Sequence, residues 1–500
     1  MNKLNSKLIA TLTKEQSNQV DALVKLQGLV AALEWRGDFL GSPQALFYPS
    51  FVGERIFSLR SLRAGGTFSG DTYLRKQLFL QALPFCDLFE LELDRDADLF
   101  ELIPAEKRIL AAYETLPSLD AWQECLLKME QYGGRYYKLV SPANRAGEEL
   151  VALQFLQKAQ RTDVIAYASG AIGRWTQILG PYLGSPFIYG NLDSQEDRNP
   201  AFSIYQLEKD YDSLFIAKPK TLYGIVGNPV FSSLSPRIHN ANYRAFGLDA
   251  LYLPFHITSF QDFWEQVVLN PIVKDLGFSF GGFTTVSPFK EEAFATVSST
   301  KNTYVQQSKA CNILVRNGEE WIAESSDSLG IRKALKKRSI AIEGLKVAII
   351  GCGGAGRTIA AALQSFGAEV VLVNRSEARG RAASEQLGLP FVPLDDFSAR
   401  QFNLVLNATP VGKKTASLVF DPSELSEGSI VADLVYLPKQ ATKLIAKAQK
   451  CGLITIDGKE ILVGQVSEQF HKMTNLEMSK SLAKQMIAIQ GQHHLILSSD

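Results

Sequence analysis

The sequence predicts an α/β protein. An N-terminal (β/α)8 TIM barrel comes first, then a two-part unit that ends in a Rossmann domain. Three observations predict it. Eight short apolar runs alternate with helix-period segments over residues 1–192. A polar stretch, YDSLFIAKPK at 211–220, interrupts that pattern. A strand, a glycine turn, a helix and a second strand follow at 345–376.

The barrel strands are KLIATL (7–12), GLVAALEWR (28–36), RIFSLR (55–60), LFELEL (88–93), RILAAYE (108–114), YYKLVS (136–141), VIAYAS (164–169) and FIYGNL (187–192). Helix-period segments separate most of them, among them 71–83, 119–132 and 147–160. Eight such units close naturally into a barrel. An open doubly wound sheet would want a glycine-rich turn after an early strand, and none occurs there.

Bulk composition narrows the function classes. The chain has 52 basic and 52 acidic residues, so no net basic field points to nucleic acid. No run reaches the 18 or so apolar residues of a membrane helix, and the N-terminal apolar run is too short for a signal peptide. Cys86, Cys125, Cys311, Cys352 and Cys451 are scattered without metal-ligand spacing. They read as reduced thiols of a cytoplasmic protein, with no metal.

In a barrel, chemistry sits at the C-terminal ends of the strands. Glu34, Arg36, Arg60, Glu92, Glu114 and Lys138 collect there. Taken singly, each reads as a salt-bridge or rim residue. Lys138 stands out because YYKLV buries it, and a buried lysine needs a partner or a task.

LEWRGD (33–38), SLRSLRAGGTFSG (58–70), DLFELELD (87–94), YYKLV (136–140) and GPYLGSPFIYG (180–190) resemble type I 3-dehydroquinate dehydratase, over roughly residues 5–215. The resemblance implies Lys138 as the Schiff-base lysine. It implies Glu34, Arg36 and Arg60 as holders of substrate hydroxyls and carboxylate, and Glu92 as the acidic partner of a proton-carrying histidine. An amine nucleophile suits that chemistry, because the iminium serves as an electron sink. The histidine itself is missing. Ala112-Tyr113-Glu114 stands where the family has Ser-Tyr-His, and no histidine precedes His239. Thr176-Gln177 replaces the family's Ser-Arg, Ser169-Gly170 its Met-Gly, and the closing Gly-Gln loop is not recognisable at 199–211.

The second unit opens with YGIVGNPVFSSLSPRIHNANYRAFGLDALYL (223–253), in which Ser233 and Ser235 flank a helix start. By themselves these serines read as caps. GGFTTVSPFKEEAF (281–294) supplies Lys290, SKACNILV supplies Asn312, and ESSDSLGI supplies Asp327. LKVAIIGCGGAGRTIAAALQSFGAEVVLVNRS (345–376) carries a GxGxxG turn in the strand–turn–helix–strand context that confirms it. Gly351 permits the tight turn, Gly353 lets a pyrophosphate approach, and Gly356 allows close helix packing; Gly354 and Ala355 complete the loop. The second strand ends in Asn374-Arg375-Ser376 rather than an acid. An arginine there forks onto a ribose 2′-phosphate, so the cofactor reads as NADP(H), with Arg379 as a second contact.

The order of these motifs resembles shikimate dehydrogenase, over about 221–490. The resemblance implies that Ser233 and Ser235 bind the substrate carboxylate, that Lys290 and Asp327 form the catalytic pair, and that Asn312 holds a ring hydroxyl. LVLNATPVG (404–412) with Thr409, ADLVYLPKQAT (432–442) with Tyr436, and DGKEILVGQVSEQFHKMT (457–474) with Gln465 match further family segments near cofactor and substrate. His471 has no motif support and reads as structural. Thr284-Thr285-Val286-Ser287 departs from the family's Asn/Ser-Val-Thr-Ile/Met by one position. In a strand that turns hydroxyls to the other face, so either the backbone adjusts and Thr285 serves, or a contact is lost.

The expected organisation is residues 1–215 as the barrel, 221–325 with 461–500 as the substrate-binding part, and 326–460 as the NADP-binding part. The expected activity is NADPH-dependent reduction of 3-dehydroshikimate, fused to a dehydratase-like barrel. One alternative is a fully bifunctional enzyme in which Glu114 or solvent replaces the histidine. Another is a non-catalytic NADP(H)-binding regulatory protein. The expected partners are small-molecule acids.

Overall fold

The computed structural model describes residues 7–13, 28–43, 51–192, 201–211, 218–413, 417–437 and 440–489. Most of the polar stretch at 211–220 and the tail HHLILSSD lie outside the described residues.

All eight expected barrel strands form. They are β1 (Lys7–Leu12), β2 (Ala32–Arg36), β3 (Glu54–Ser58), β4 (Leu88–Glu92), β5 (Arg108–Tyr113), β6 (Tyr136–Pro142), β7 (Val164–Ser169) and β8 (Phe187–Asn191). Their order is β7-β6-β5-β4-β3-β2-β1-β8, every pairing parallel. Among the described residues no ladder joins β7 to β8, so the barrel is nearly closed. Gln177, on the segment between them, donates to the Tyr189 carbonyl at 2.9 Å. Helices α1 (Thr72–Ala82), α2 (Leu119–Glu130) and α3 (Leu150–Ala159) bury Phe79, Trp122 and Phe155 against the outside. Asp71 and Ser118 cap the first two by accepting from the Leu74 and Ala121 amides. Inside lie Ile9, Ala32, Ile56, Leu88, Ile109, Ile165 and Phe187. Strands buried on both faces need such apolar runs, which is why the sequence displays them.

The next sheet has the order β10-β9-β11-β12-β13: β9 (Thr221–Gly227), β10 (Ala250–His256), β11 (Ser279–Thr285), β12 (Ile313–Asn317) and β13 (Glu320–Glu324). Helices α4 (Ser235–Ala245) and α5 (Lys290–Thr296) belong to it. Helix α6 (Asp327–Lys337) leads to the third sheet. That sheet comprises β14 (Lys346–Ile350), β15 (Glu369–Asn374), β16 (Phe391–Pro393), β17 (Leu404–Asn407), β18 (Ile430–Asp433) and β19 (Ile454–Ile456). Its order, β16-β15-β14-β17-β18-β19, is all parallel and is that of a Rossmann fold. Helices α7 (Gly354–Ser365) and α8 (Glu377–Leu387) follow β14 and β15.

Helix α9 (Gly458–Thr474) then leaves this sheet and returns to the second one, burying Val466 and Phe470 with Ile225, Tyr243 and Tyr252. It crosses α6 at a point where both helices carry glycine. A Cβ on Gly464 would lie 2.8 Å from the Gly330 Cα. The Gly of the Ser-Asp-x-x-Gly motif thus permits a close helix crossing, and the crossing carries Gln465 to Asp327.

The barrel packs on the second sheet through a continuous apolar core. Trp175 meets Phe255 with ring centroids 5.1 Å apart, and Arg237 pairs with buried Asp210 at 2.5 Å.

Candidate active site

The ends of β14 and β17, where the strand order reverses, open on a cleft of about 690 Å³. Ligands of open α/β sheets bind at such a switch point. Ser233, Ser235, Thr285, Lys290, Asn312, Asp327, Tyr436 and Gln465 line one side of it. Gly351, Gly353, Gly354, Ala355, Asn374, Arg375, Ser376, Arg379 and Thr409 line the other. Gly356 does not line the cleft; a Cβ there would lie 1.9 Å from the Gly351 carbonyl, so its task is to seat α7 against the turn.

Lys290 stands at the start of α5 and Asp327 at the start of α6. Lys290 Nζ donates to Asp327 Oδ2 at 2.6 Å. The other carboxylate oxygen, Oδ1, accepts from Asn312 at 2.8 Å and from Gln465 at 3.2 Å. Both carboxylate oxygens are therefore held, and Asp327 cannot rotate away from Lys290 without losing two further bonds. Asn312 is itself fixed, since its Oδ1 accepts from the Ser326 amide at 2.8 Å. Its Nδ2 also donates to Ser326 Oγ at 3.1 Å, which accepts in turn from Gln469 at 3.2 Å. Ser326 and Gln469 are supports that the sequence reading missed. Their only sequence signal is position: Ser326 precedes Asp327, and Gln469 lies one turn beyond Gln465 on α9. The lysine is mostly shielded, with 14% of its side chain exposed, and Asp327 shows 3%. An ammonium held in this way beside a cleft can deliver a proton to a developing alkoxide.

At the substrate side, Ser233 Oγ accepts from the Ser235 amide at 3.2 Å, while α4 has no side-chain cap at its first residue. The Thr-Thr-Val-Ser shift has a structural counterpart. Pairing of β11 with β9 slips between Phe280 and Gly282, so Gly281 is an extra, bulged residue. A bulge bends the strand and re-aims the side chains after it. Thr284 and Thr285 both reach the cleft wall. Thr285 Oγ1 is buried and has no hydrogen-bond partner among the described residues.

The cofactor side fits a dinucleotide. Nothing lies within 4 Å of where a Gly353 Cβ would stand, so the turn is open towards the cleft. The amides at the start of the twelve-residue helix α7 face it. Asn374 accepts from the Cys352 amide at 3.2 Å and ties the turn to the end of β15. Ser376 caps α8. Thr409 Oγ1 donates to Asn407 at 2.6 Å and shapes the loop after β17. His471 lies off the cleft, 3.3 Å from Glu477.

The barrel holds a second polar cluster. Strands β2, β4, β6 and β8 contribute Glu34, Glu90, Lys138 and Tyr189 to its interior. Lys138 Nζ donates to Glu90 Oε2 at 2.7 Å, and its side chain is 0% exposed. The Tyr189 ring covers the ammonium at 3.8 Å from the ring centroid. Arg60 joins Glu34 and Glu90 at 2.8 and 3.0 Å, and Tyr113 donates to Glu90 at 2.5 Å. Two cations thus meet two anions. Burial raises the Glu90 carboxyl, but Arg60 and Lys138 outweigh it and hold the group below the usual carboxylate range. Burial, then Arg60, lowers the Lys138 ammonium despite Glu90.

A mouth of about 440 Å³ opens above this cluster and is lined by Glu34, Arg36, Arg60, Tyr113 and Tyr189, among others. Arg36 is engaged by Asp38 at 2.7 and 2.8 Å. Glu92 lies elsewhere. Its carboxylate accepts from the Ser61 amide and hydroxyl, both at 2.7 Å, and it shares a separate depression of about 150 Å³ with Glu114. Glu114 accepts from Cys125 at 3.5 Å. The partner of Lys138 is Glu90, which the sequence reading did not single out.

A family model for type I 3-dehydroquinase matches residues 8–218. One for the shikimate dehydrogenase substrate binding domain matches 225–314, and one for the NAD binding domain of D-isomer specific 2-hydroxyacid dehydrogenases matches 310–426. The NADP(+) shikimate dehydrogenase of Methanothrix thermoacetophila is 33% identical over 260 residues, covering 51% of this chain and 92% of that protein. The chain belongs to the shikimate dehydrogenase family. It is a fusion, because its first part is a barrel that matches the type I 3-dehydroquinase model. A chloroplastic bifunctional 3-dehydroquinate dehydratase/shikimate dehydrogenase of Arabidopsis thaliana is 25% identical over 461 residues, 87% of this chain and 75% of that one. Among solved structures, a shikimate dehydrogenase in complex with NADP+ aligns with TM-score 0.49 and 26% identity over 55% of this chain and 97% of that one. The dehydroquinate dehydratase and shikimate dehydrogenase portion of the S. pombe AroM protein aligns with TM-score 0.43 and 20% identity over 97% and 98%. Among the described residues no helix is long and apolar enough to cross a membrane, and no His, Cys, Asp and Glu cluster could hold a metal ion.

Proposed function

We propose that this chain interconverts 3-dehydroshikimate and shikimate with NADP(H), using Lys290 and Asp327. The observation that carries the reading is the 2.6 Å Lys290–Asp327 pair in the cleft that also contains the glycine turn. NADPH, when bound, supplies hydride to the ketone carbon. Lys290 gives the oxygen its proton and recovers one from solvent. Asp327 holds the ammonium in place, and Asn312 and Gln465 hold Asp327, while Gln465 offers its Oε1 and Asn312 the second lone pair of its Oδ1 to ring hydroxyls. Ser233, Ser235 and Thr285 bind the polar rim of the substrate, and Tyr436 closes its side. Gly351, Gly353, Gly354 and Ala355 cradle the pyrophosphate. Asn374, Arg375 and Ser376 take the 2′-phosphate end, with Thr409 beside the turn.

In this reading residues 1–215 are the barrel, 221–325 with 461–500 the substrate-binding part, and 326–460 the NADP-binding part. The free cysteines suit a reducing, cytoplasmic setting. Spectrophotometric assay should show NADP+ reduced with shikimate, and faster than NAD+ under the same conditions. A panel with quinate and related polyol acids defines the substrate. If no member of the panel reduces either cofactor, the reading fails.

The barrel serves as a folded partner in which Lys138 is a paired structural charge. Its Nζ is held by Glu90 and roofed by Tyr189, and Glu114 opens on a different depression. The barrel has no histidine to carry the proton, and the carboxylate beside the lysine, Glu90, is held by Lys138, Arg60 and Tyr113. Borohydride added with 3-dehydroquinate should leave Lys138 unmodified in the intact-mass and peptide spectra. An adduct on Lys138 would restore the bifunctional reading.

A further inference from the structure

Glu291 follows Lys290 on α5 and reaches across the cleft to the Rossmann sheet's helices. Its Oε1 lies 2.7 Å from Arg357 on α7 and 3.2 Å from Arg379 on α8. One carboxylate oxygen is shared between two guanidiniums of unequal freedom. The Arg357 side chain is 9% exposed, whereas that of Arg379 is 56% exposed. Arg379 lines the cleft with Arg375 and Ser376, where the second strand of the dinucleotide fold ends. We propose that Glu291 is a specificity-determining residue that occupies Arg379 until a dinucleotide carrying a 2′-phosphate displaces it.

This rests on the NADP(H) reading above. A phosphate monoester carries a charge of about −1.5 to −2 and three acceptor oxygens. It outcompetes a single carboxylate oxygen for an exposed guanidinium, and Arg379 forks onto it beside Arg375. Glu291 then keeps Arg357, the more buried of its two partners. A dinucleotide with a plain 2′-hydroxyl displaces nothing, and leaves the Glu291–Arg379 contact as it stands. Glu291 therefore weighs against NADPH and not against NADH.

The test is Glu291→Gln in the full chain, with NADPH and NADH affinities measured by quenching of tryptophan fluorescence without substrate. Glutamine keeps the shape and a hydrogen-bond acceptor for Arg357. NADPH should bind about two- to fivefold more tightly, the scale of an exposed ion pair, and NADH should bind as before. Arg379→Gln should weaken NADPH, and adding Glu291→Gln to it should change nothing further. Equal shifts for both cofactors, no shift, or weaker NADPH binding by Glu291→Gln overturn the proposal. Equal affinity of the unaltered chain for NADPH and NADH would instead overturn the NADP(H) reading itself.

Discussion

Lys290→Ala should lower kcat for shikimate oxidation by about 10²–10⁴-fold, the range for losing a positioned acid–base group. The dissociation constant of NADPH should stay within about twofold, because alanine keeps the Lys290 Cβ that lies nearest Gly354 of the pyrophosphate turn, and the Arg375 end is unaltered. The geometry makes that split sharp. Asp327 remains held by Asn312 and Gln465 after the lysine is gone, so the site keeps its shape and loses its acid–base group. Steady-state kinetics with a parallel NADPH titration reads both quantities. A variant retaining more than about a tenth of the activity would remove Lys290 from the chemistry. One that lost activity together with NADPH binding would mark it as a cleft-shaping residue instead.

Glu90→Ala should destabilise the barrel by about 3–5 kcal/mol, the cost of stranding buried charges. Glu90 accepts from Lys138, Arg60 and Tyr113, and Lys138 has no exposure through which water could replace it. For a unit of this size the melting temperature should fall by on the order of 10 °C. Lys138→Met should cost clearly less, because Glu90 keeps Arg60 and the methionine fills the same space. Calorimetry on both variants checks the order. Equal melting temperatures for Glu90→Ala and the unaltered chain would mean that the cluster is wetter and weaker than its burial implies.

The two halves differ in how far their sites could be read from the chain. In the dehydrogenase half, Ser233, Lys290, Asn312, Asp327 and Gln465 are far apart in sequence, yet all line one cleft. Taken singly, those residues read as caps or surface groups; the order of their motifs, through the resemblance to shikimate dehydrogenase, is what grouped them. The barrel was legible as a fold and less so as a site. Its strands appear as apolar runs because both faces are buried, and Lys138 announces itself as a lysine inside one of them. Its partner does not. Glu90 and Glu92 share a face of β4, two residues apart, and the register row across the ladders runs Glu92, Ala111, Lys138. Lys138 nevertheless meets Glu90, because strands in a barrel tilt and a level layer cuts across register rows.

Gly281 and Glu291 carry the same message. The Gly281-Gly282 pair permits a bulge, but only the pairing of β11 with β9 fixes where it falls. Glu291 reads as an ordinary first-turn acid of α5, and it becomes a bridge only when α7 and α8 are brought opposite.

By itself, the order of residues along this chain determined the strands, the helices and the dinucleotide turn, because each depends on neighbours a few positions away. Tertiary structure alone decided that Lys138 is neutralised by Glu90, that Glu92 serves another loop, and that Glu291 joins two arginines. Those outcomes depend on barrel stagger and on how two sheets face each other. Both are properties of packed layers that no local pattern encodes.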